Sequence, residues 1–232
     1  MELRGEVAVV TGSGRGIGRA VALRLAAAGA RVALGARTEA EVGAVAAAIT
    51  AGGGQAVALA LDVTAPASDA RFAAEVRARC GEPLVLVNNA GLVRRGRLDE
   101  AAPADWDAVL AANLTGTYLV TRAFLGAMRA RGRGRIVNVA SISGREGTAE
   151  LTAYCAAKHG VVGLTRALAE EVRADGLQVN AVCPGSVDTA MLREGLPGAQ
   201  PAMSPDDVAG VVVYLATTAP AALTGACLDV FG

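Results

Sequence analysis

Val7-Ala8-Val9-Val10-Thr11, then Gly12-Ser13-Gly14-Arg15-Gly16-Ile17-Gly18, then an Ala/Leu/Arg run to Ala28 is the stretch that decides the fold. The first run is β-branched, too short for a helix and unbroken enough for a strand buried on both faces. The last run has helix composition and stops at Gly29. Between them, glycines let backbone N–H groups approach an anion, and the amino end of the helix adds positive potential. A flexible linker has a similar composition, but linkers do not join a buried strand to a helix. The spacing is not GxGxxG, because Ile17 and Arg19 stand where that pattern needs glycine.

The same alternation continues outward. Strands are predicted at 31–36, 56–61, 84–87, 135–140, 179–182 and 226–230. Helices are predicted at 39–51, 67–79, 104–130, 154–174 and 205–217. Strands alternating with helices imply an α/β fold, a doubly wound parallel sheet of about seven strands with helices on both faces. No linker or composition break interrupts the chain, so residues 1–232 are expected to form a single domain.

Composition narrows the function classes. Apolar residues make up 53% of the chain and aromatics 3%, so Ala, Val, Leu and Gly do the packing and thin helices lie close on the sheet. Net charge is zero, and no block of like charges favours nucleic acid or an anionic membrane. The arginines from Arg129 to Arg135 read as a solvated loop entering a strand. Cys80, Cys155, Cys183 and Cys227 lie far apart, and His159 is the single histidine, so neither a metal site nor a disulfide framework is expected. Cys155 and His159 at i, i+4 raise a Cys–His nucleophile, but both would point away from the Tyr154 face. No segment is expected to reach membrane-spanning length and no signal peptide fits, which implies a cytoplasmic protein with reduced thiols.

Lys158 is the only lysine among 22 basic residues, and it stands four residues after Tyr154. On a helix these side chains share a face. An ammonium beside a phenol favours phenolate and lowers a pKa of about 10, giving a general acid/base near neutral pH. Tyr and Lys at this spacing also decorate solvated helix faces. Ser141 would sit at the carboxyl end of a buried strand, the edge where open α/β sheets bind ligands. Asn113 stands mid-helix, a poor local choice that fits either a buried kink or a site residue. About 20 residues past the glycine loop, where an acid would hold an NAD ribose, the chain has Ala36-Arg37. A guanidinium there grips a 2′-phosphate, and Arg15 could lie over it, so NADP(H) is favoured.

With its motifs in order over essentially the whole chain, the sequence resembles the short-chain dehydrogenase/reductase family. Thr11-Gly12-Ser13-Gly14-Arg15-Gly16-Ile17-Gly18 is similar to its TGxxxGxG cofactor loop, and Asn88-Asn89-Ala90-Gly91 to its NNAG segment. Asn113, Ser141, Tyr154 and Lys158 fall on its catalytic tetrad, and Pro184-Gly185 on its PG turn. The resemblance implies a Rossmann-type carbonyl/alcohol oxidoreductase, with 3-oxoacyl thioester reduction the nearest activity by analogy. It implies that Tyr154 passes a proton to the substrate oxygen, Ser141 holds that oxygen, Lys158 binds the nicotinamide ribose, and Asn113 holds a water. It also implies cofactor contacts at Asp62, Val63, Asn89, Ala90, Gly91, Val187 and Thr189.

One departure stands out. Where the family carries a helical lid, this chain has only residues 186–204, with Leu196-Pro197-Gly198 and Pro201 as poor helix material. Little is left there to shape a pocket. A silent NADP(H)-binding redox sensor is the alternative, although such relatives typically lose the tyrosine or lysine. Apolar residues on the Tyr154 helix and at Leu119, Val120, Phe124, Leu125 and Met128 imply a homodimer or homotetramer.

Overall fold

The computed structural model describes residues 3–232. Seven parallel strands lie in the order β3-β2-β1-β4-β5-β6-β7. They are β1 (Val7–Thr11), β2 (Arg31–Ala36), β3 (Gln55–Ala60), β4 (Pro83–Asn88), β5 (Gly134–Val139), β6 (Leu177–Pro184) and β7 (Cys227–Val230). The winding reverses between β1 and β4, so the crevice beyond their carboxyl ends is the topological switch point. The glycine loop and the segment after Asn88 both open into it.

Each face of the sheet buries its own layer. Helices α1 (Gly16–Ala27), α2 (Glu39–Ala51) and α8 (Pro205–Thr217) cover one side, packing Val21, Leu25, Val42, Val212 and Leu215 on Val10, Leu34 and Val85. On the other side lie α3 (Pro66–Arg79), α5 (Gly116–Arg131) and α6 (Thr152–Glu171), with Phe72, Val76, Phe124 and Met128 against Val9, Leu86 and Ile136. The central strands β1 and β4 are buried along their whole length, which is why they read as unbroken apolar runs.

Three stretches differ from expectation. The helix predicted at 104–130 is α4 (Pro103–Leu110), a π turn (Ala111–Thr115) and α5, the turn falling at Asn113. Taken together, residues 103–131 are long and apolar enough to cross a membrane, contrary to the expectation of none. Their apolar stripe of Val109, Val120, Phe124 and Met128 is fully buried inside the protein. Three of the residues expected in a subunit seam, Val120, Phe124 and Met128, therefore face the protein's own core. The segment expected to be poor helix material holds a short helix, α7 (Ala190–Gly195), because Thr189 caps it by accepting from Leu192 N at 3.2 Å. Finally, Arg135 is not solvated. It is 7% exposed and donates to Leu215 O at 2.8 Å and Ala219 O at 2.9 Å, closing the carboxyl end of α8. Arg129, Arg131 and Arg133 stay at the surface, ion-paired to Asp175 and Glu6.

Candidate active site

A cleft of about 1100 Å³ runs along the switch point, and most of the expected site residues line it. Its floor at one end is the glycine loop. Gly16 opens α1 with φ +53, a left-handed conformation that glycine adopts without strain, so the helix amino end faces the cleft. Behind the loop, Thr11 Oγ1 accepts from Asn89 N and Ala90 N at 3.0 Å, and Asn89 Nδ2 returns bonds to Thr11 O and Gly12 O at 3.0 Å. The Asn-Asn-Ala-Gly turn thus clamps the glycine turn. Asn88 works one layer deeper, donating to Thr121 Oγ1 and Asn138 Oδ1 at 2.9 Å. Ser13 and Gly18, expected as cofactor contacts, do not line the cleft. Ser13 Oγ turns to Gly35 O, and a Cβ on Gly18 would strike Gly12 O at 2.3 Å, so both serve to close the loop on its supports.

Arg15, Arg19 and Arg37 line the same end and carry no hydrogen bond or ion pair among the described residues. Many other arginines of the chain are ion-paired, for example Arg24, Arg77, Arg95 and Arg193. Arg19 was missed from the sequence. Its signal was its place in the first turn of the helix that the loop opens, three residues after Gly16. Glu41 was missed as well, and a Cβ on Gly14 would come within 2.8 Å of its Oε2. The Asp62 carboxylate accepts from Thr64 Oγ1 at 2.7 Å and Thr64 N at 3.0 Å. Those two bonds, with the charge of Arg37, hold its pKa below the usual carboxylate range.

At the other end, Ser141, Tyr154 and Lys158 converge. Ser141 follows β5, and its Oγ accepts from Ser143 N at 3.1 Å; it is close enough to Tyr154 to favour the ionised phenol. Lys158 Nζ donates to Val139 O at 2.8 Å and lies 5.5 Å from the Tyr154 ring centroid. Asn113, on the π turn, is fully buried and spends its Nδ2 on Leu92 O at 2.7 Å and Val109 O at 2.9 Å. Its Oδ1 has no partner, and it crowds the place of a Gly91 Cβ at 2.4 Å, with Lys158 Nζ 3.9 Å from the same point. Glycine at 91 leaves that gap open. Asn113 is therefore both the kink and a neighbour of the site.

Electrostatics differ from the sequence expectation in one respect. Tyr154 is not lowered. Burial pushes its phenol up to about 12, with Ser141 pulling the other way. Burial also brings Lys158 down to about 8. The ammonium is too far below the ring, and too committed to Val139 O, to offset desolvation of the phenol. Cys155 and His159 form no nucleophile pair: His159 is exposed, and its Nδ1 lies 2.9 Å from the Cys155 carbonyl oxygen.

A glycine-floored crevice with free guanidiniums at one end and a buried Ser-Tyr-Lys cluster at the other defines a dinucleotide-dependent oxidoreductase. A family model described as short chain dehydrogenase matches residues 6–198. The chain is 40% identical to the 3-oxoacyl-(acyl-carrier-protein) reductase FabG of Pseudomonas aeruginosa, covering 100% of this chain and 98% of that protein. It is 35% identical to 2-(S)-hydroxypropyl-CoM dehydrogenase 3 of Xanthobacter autotrophicus, over 99% of this chain and 96% of that one. The crystal structure of levodione reductase superposes with a TM-score of 0.93 at 30% identity, over 99% and 97% of the two chains. The chain belongs to the short-chain dehydrogenase family. It is an oxidoreductase that uses a nicotinamide cofactor and acts on a small-molecule substrate.

Proposed function

We propose that the protein is an NADP(H)-dependent carbonyl reductase, with a 3-oxoacyl ester or thioester, or a small ketone, as substrate. The observation that carries the cofactor choice is the set of unpaired guanidiniums, Arg15, Arg19 and Arg37, at the glycine end of the cleft. Three guanidiniums outnumber the Glu41 and Asp62 carboxylates there, and a 2′-phosphate is the group that would draw them together. Gly12, Gly14, Gly16 and Ile17 would hold the pyrophosphate, and Val63, Ala90, Pro184, Gly185, Val187 and Thr189 line the space between the two ends.

A bound nicotinamide supplies the hydride. The chain's own residues do the rest. Ser141 Oγ and Tyr154 Oη, both on the cleft wall, fix the carbonyl oxygen between them. The Tyr154 phenol, protonated over the whole neutral range, gives its proton to that oxygen as the alcohol forms. Lys158 steadies the phenolate left behind, and the free Asn113 Oδ1 beside it accepts from a proton donor that restores the phenol. Ser143 Oγ and Thr148 Oγ1, 3.2 Å apart on the cleft wall, share one hydrogen and leave the other for a second carbonyl, which favours the 3-oxoacyl class. The silent-sensor reading has no observation in its favour.

A homodimer or homotetramer also fits, because Trp106 and Tyr118 leave large apolar surface on the outer side of α4 and α5. Four free thiols suit a cytoplasmic setting. The cofactor reading is tested by Kd from nicotinamide fluorescence. NADPH should bind about ten- to a hundredfold tighter than NADH, the worth of one charge-assisted contact, and Arg37→Ala with Ala36→Asp should reverse the order. Equal affinities in the parent would overturn it.

A further inference from the structure

Tyr154 and Met191 both line the cleft, and Met191 is the side chain that stands against the Tyr154 hydroxyl. Its Sδ lies 3.8 Å from Tyr154 Oη. The segment carrying Met191 is tied down at both ends. At its base, Val187 and Met203 form a parallel bridge, Asp188 N donates to Met203 O at 2.9 Å, and Ala202 N donates to Ser186 O at 3.0 Å. At its far end, Gly195 is seated on Val93, where a Cβ would come within 3.1 Å of Val93 Cγ2. Beside it Arg94 donates to Glu194 at 2.8 Å, and Asp105 lies 3.4 Å from the same guanidinium. Leu196 packs with Leu151 and Tyr154 in one apolar cluster. With the backbone held in this way, only the Met191 side chain is left to yield, a thioether on an unbranched, three-torsion stem.

A carbonyl that takes a proton from Tyr154 must bring its oxygen within about 2.6–3.2 Å of that hydroxyl. The carbonyl carbon then lies one bond further on, and one of its two arms must pass the Met191 sulfur at van der Waals contact. A methyl or methylene arm passes if the thioether turns aside. An arm branched at the carbon next to the carbonyl has one hydrogen there in place of two, so two of its three staggered orientations set a methyl against the sulfur and only one clears it. We propose that Met191 sets the substrate choice of this site, admitting carbonyls with at least one arm unbranched beside the carbonyl and disfavouring those branched on both sides. The proposal rests on the reductase reading above and refines its substrate class. The short lid is thus a tight one, and the wall around it (Leu92, Val93, Leu151, Leu196) suits a slim aliphatic arm.

The test measures NADPH consumption by the full chain, as parent, Met191→Ala and Met191→Leu, with pentan-3-one and with 2,4-dimethylpentan-3-one. The parent should prefer the straight ketone by at least about tenfold in kcat/KM, the scale on which an apolar pocket discriminates one or two methyl groups. Met191→Ala should lower that ratio by about tenfold or more, mainly through the branched ketone, while Met191→Leu, similar in volume, should keep it within about threefold. An unchanged ratio in Met191→Ala, or a parent that takes both ketones equally, overturns the proposal and leaves the reductase reading standing. Turnover of a 3-oxoacyl ester but of neither ketone overturns this inference alone, and bound NADPH with no turnover of the ester or of either ketone by any of the three proteins overturns the reductase reading, and this inference with it.

Discussion

Asp69 is a charge in the wrong place. It lies on α3 at 4% exposure, in one stripe with Phe72, Ala73 and Val76, and neither carboxylate oxygen has a hydrogen-bond partner among the described residues. Burial, helped by the like charge of Asp62, raises its pKa from 3.8 to about 6. That is roughly two units at 1.36 kcal/mol each, so the ionised form costs the fold about 3 kcal/mol at most. The sign follows from which state holds the proton. The folded protein binds it more tightly than the unfolded chain, so the penalty is absent below about pH 4, grows as the pH rises, and is complete above about pH 6. Asp69→Asn removes the charge with almost no change of shape and leaves the polar burial in place. The variant should be up to about 3 kcal/mol more stable than the parent at pH 8, with the gain shrinking toward zero by pH 4. Urea unfolding followed by circular dichroism reads this as a midpoint shift at constant m. A less stable variant at pH 8, or a gain that ignores pH, would refute the reasoning by showing that the carboxylate is held by a favourable contact.

Three further outcomes are expected. Arg135→Met should cost about 2–3 kcal/mol, because the carbonyls of Leu215 and Ala219 lose a charged donor at the end of α8, and the urea midpoint reports it. Lys158, brought down to about 8 by burial, is charged below that pH, so kcat/KM for ketone reduction should be level at neutral pH and fall as the pH rises through about 8. A profile flat to alkaline pH would remove the ammonium from the reaction. Lys158→Arg should reduce turnover by about a hundredfold or more, since a planar guanidinium cannot stand as a point charge under the phenol.

Most of the fold was legible because β1, β2 and β4 are buried on both faces and had to be written as unbroken apolar runs. The site was legible because Tyr154 and Lys158 share one helix face and Ser141 ends a strand. What stayed hidden depends on contacts distant in sequence. Arg135 reads as the end of an arginine-rich loop, and only the arrival of α8 some 80 residues later shows that it is a buried cap. Asp69 looks like an ordinary first-turn acid of a helix until its stripe is seen to face α5. The helix at Ala190–Gly195 escaped attention because Pro197 and Gly198 dominate its neighbourhood, yet they lie beyond its end and Thr189 starts it. Asn113 was seen as an oddity, but the π turn that explains it is a property of backbone geometry. The pKa of Tyr154 was misjudged because spacing reports the ammonium and says nothing about desolvation.

Tyr154 is the proposed proton donor of an NADPH-dependent carbonyl reduction. The most direct test of that role is loss of NADPH absorbance with a 3-oxoacyl ester for the parent and for Tyr154→Phe, alongside NADPH binding by both. The expected result is turnover by the parent, a loss of about a thousandfold or more in Tyr154→Phe, and NADPH affinity retained in the variant. Turnover by Tyr154→Phe within a few-fold of the parent would contradict it.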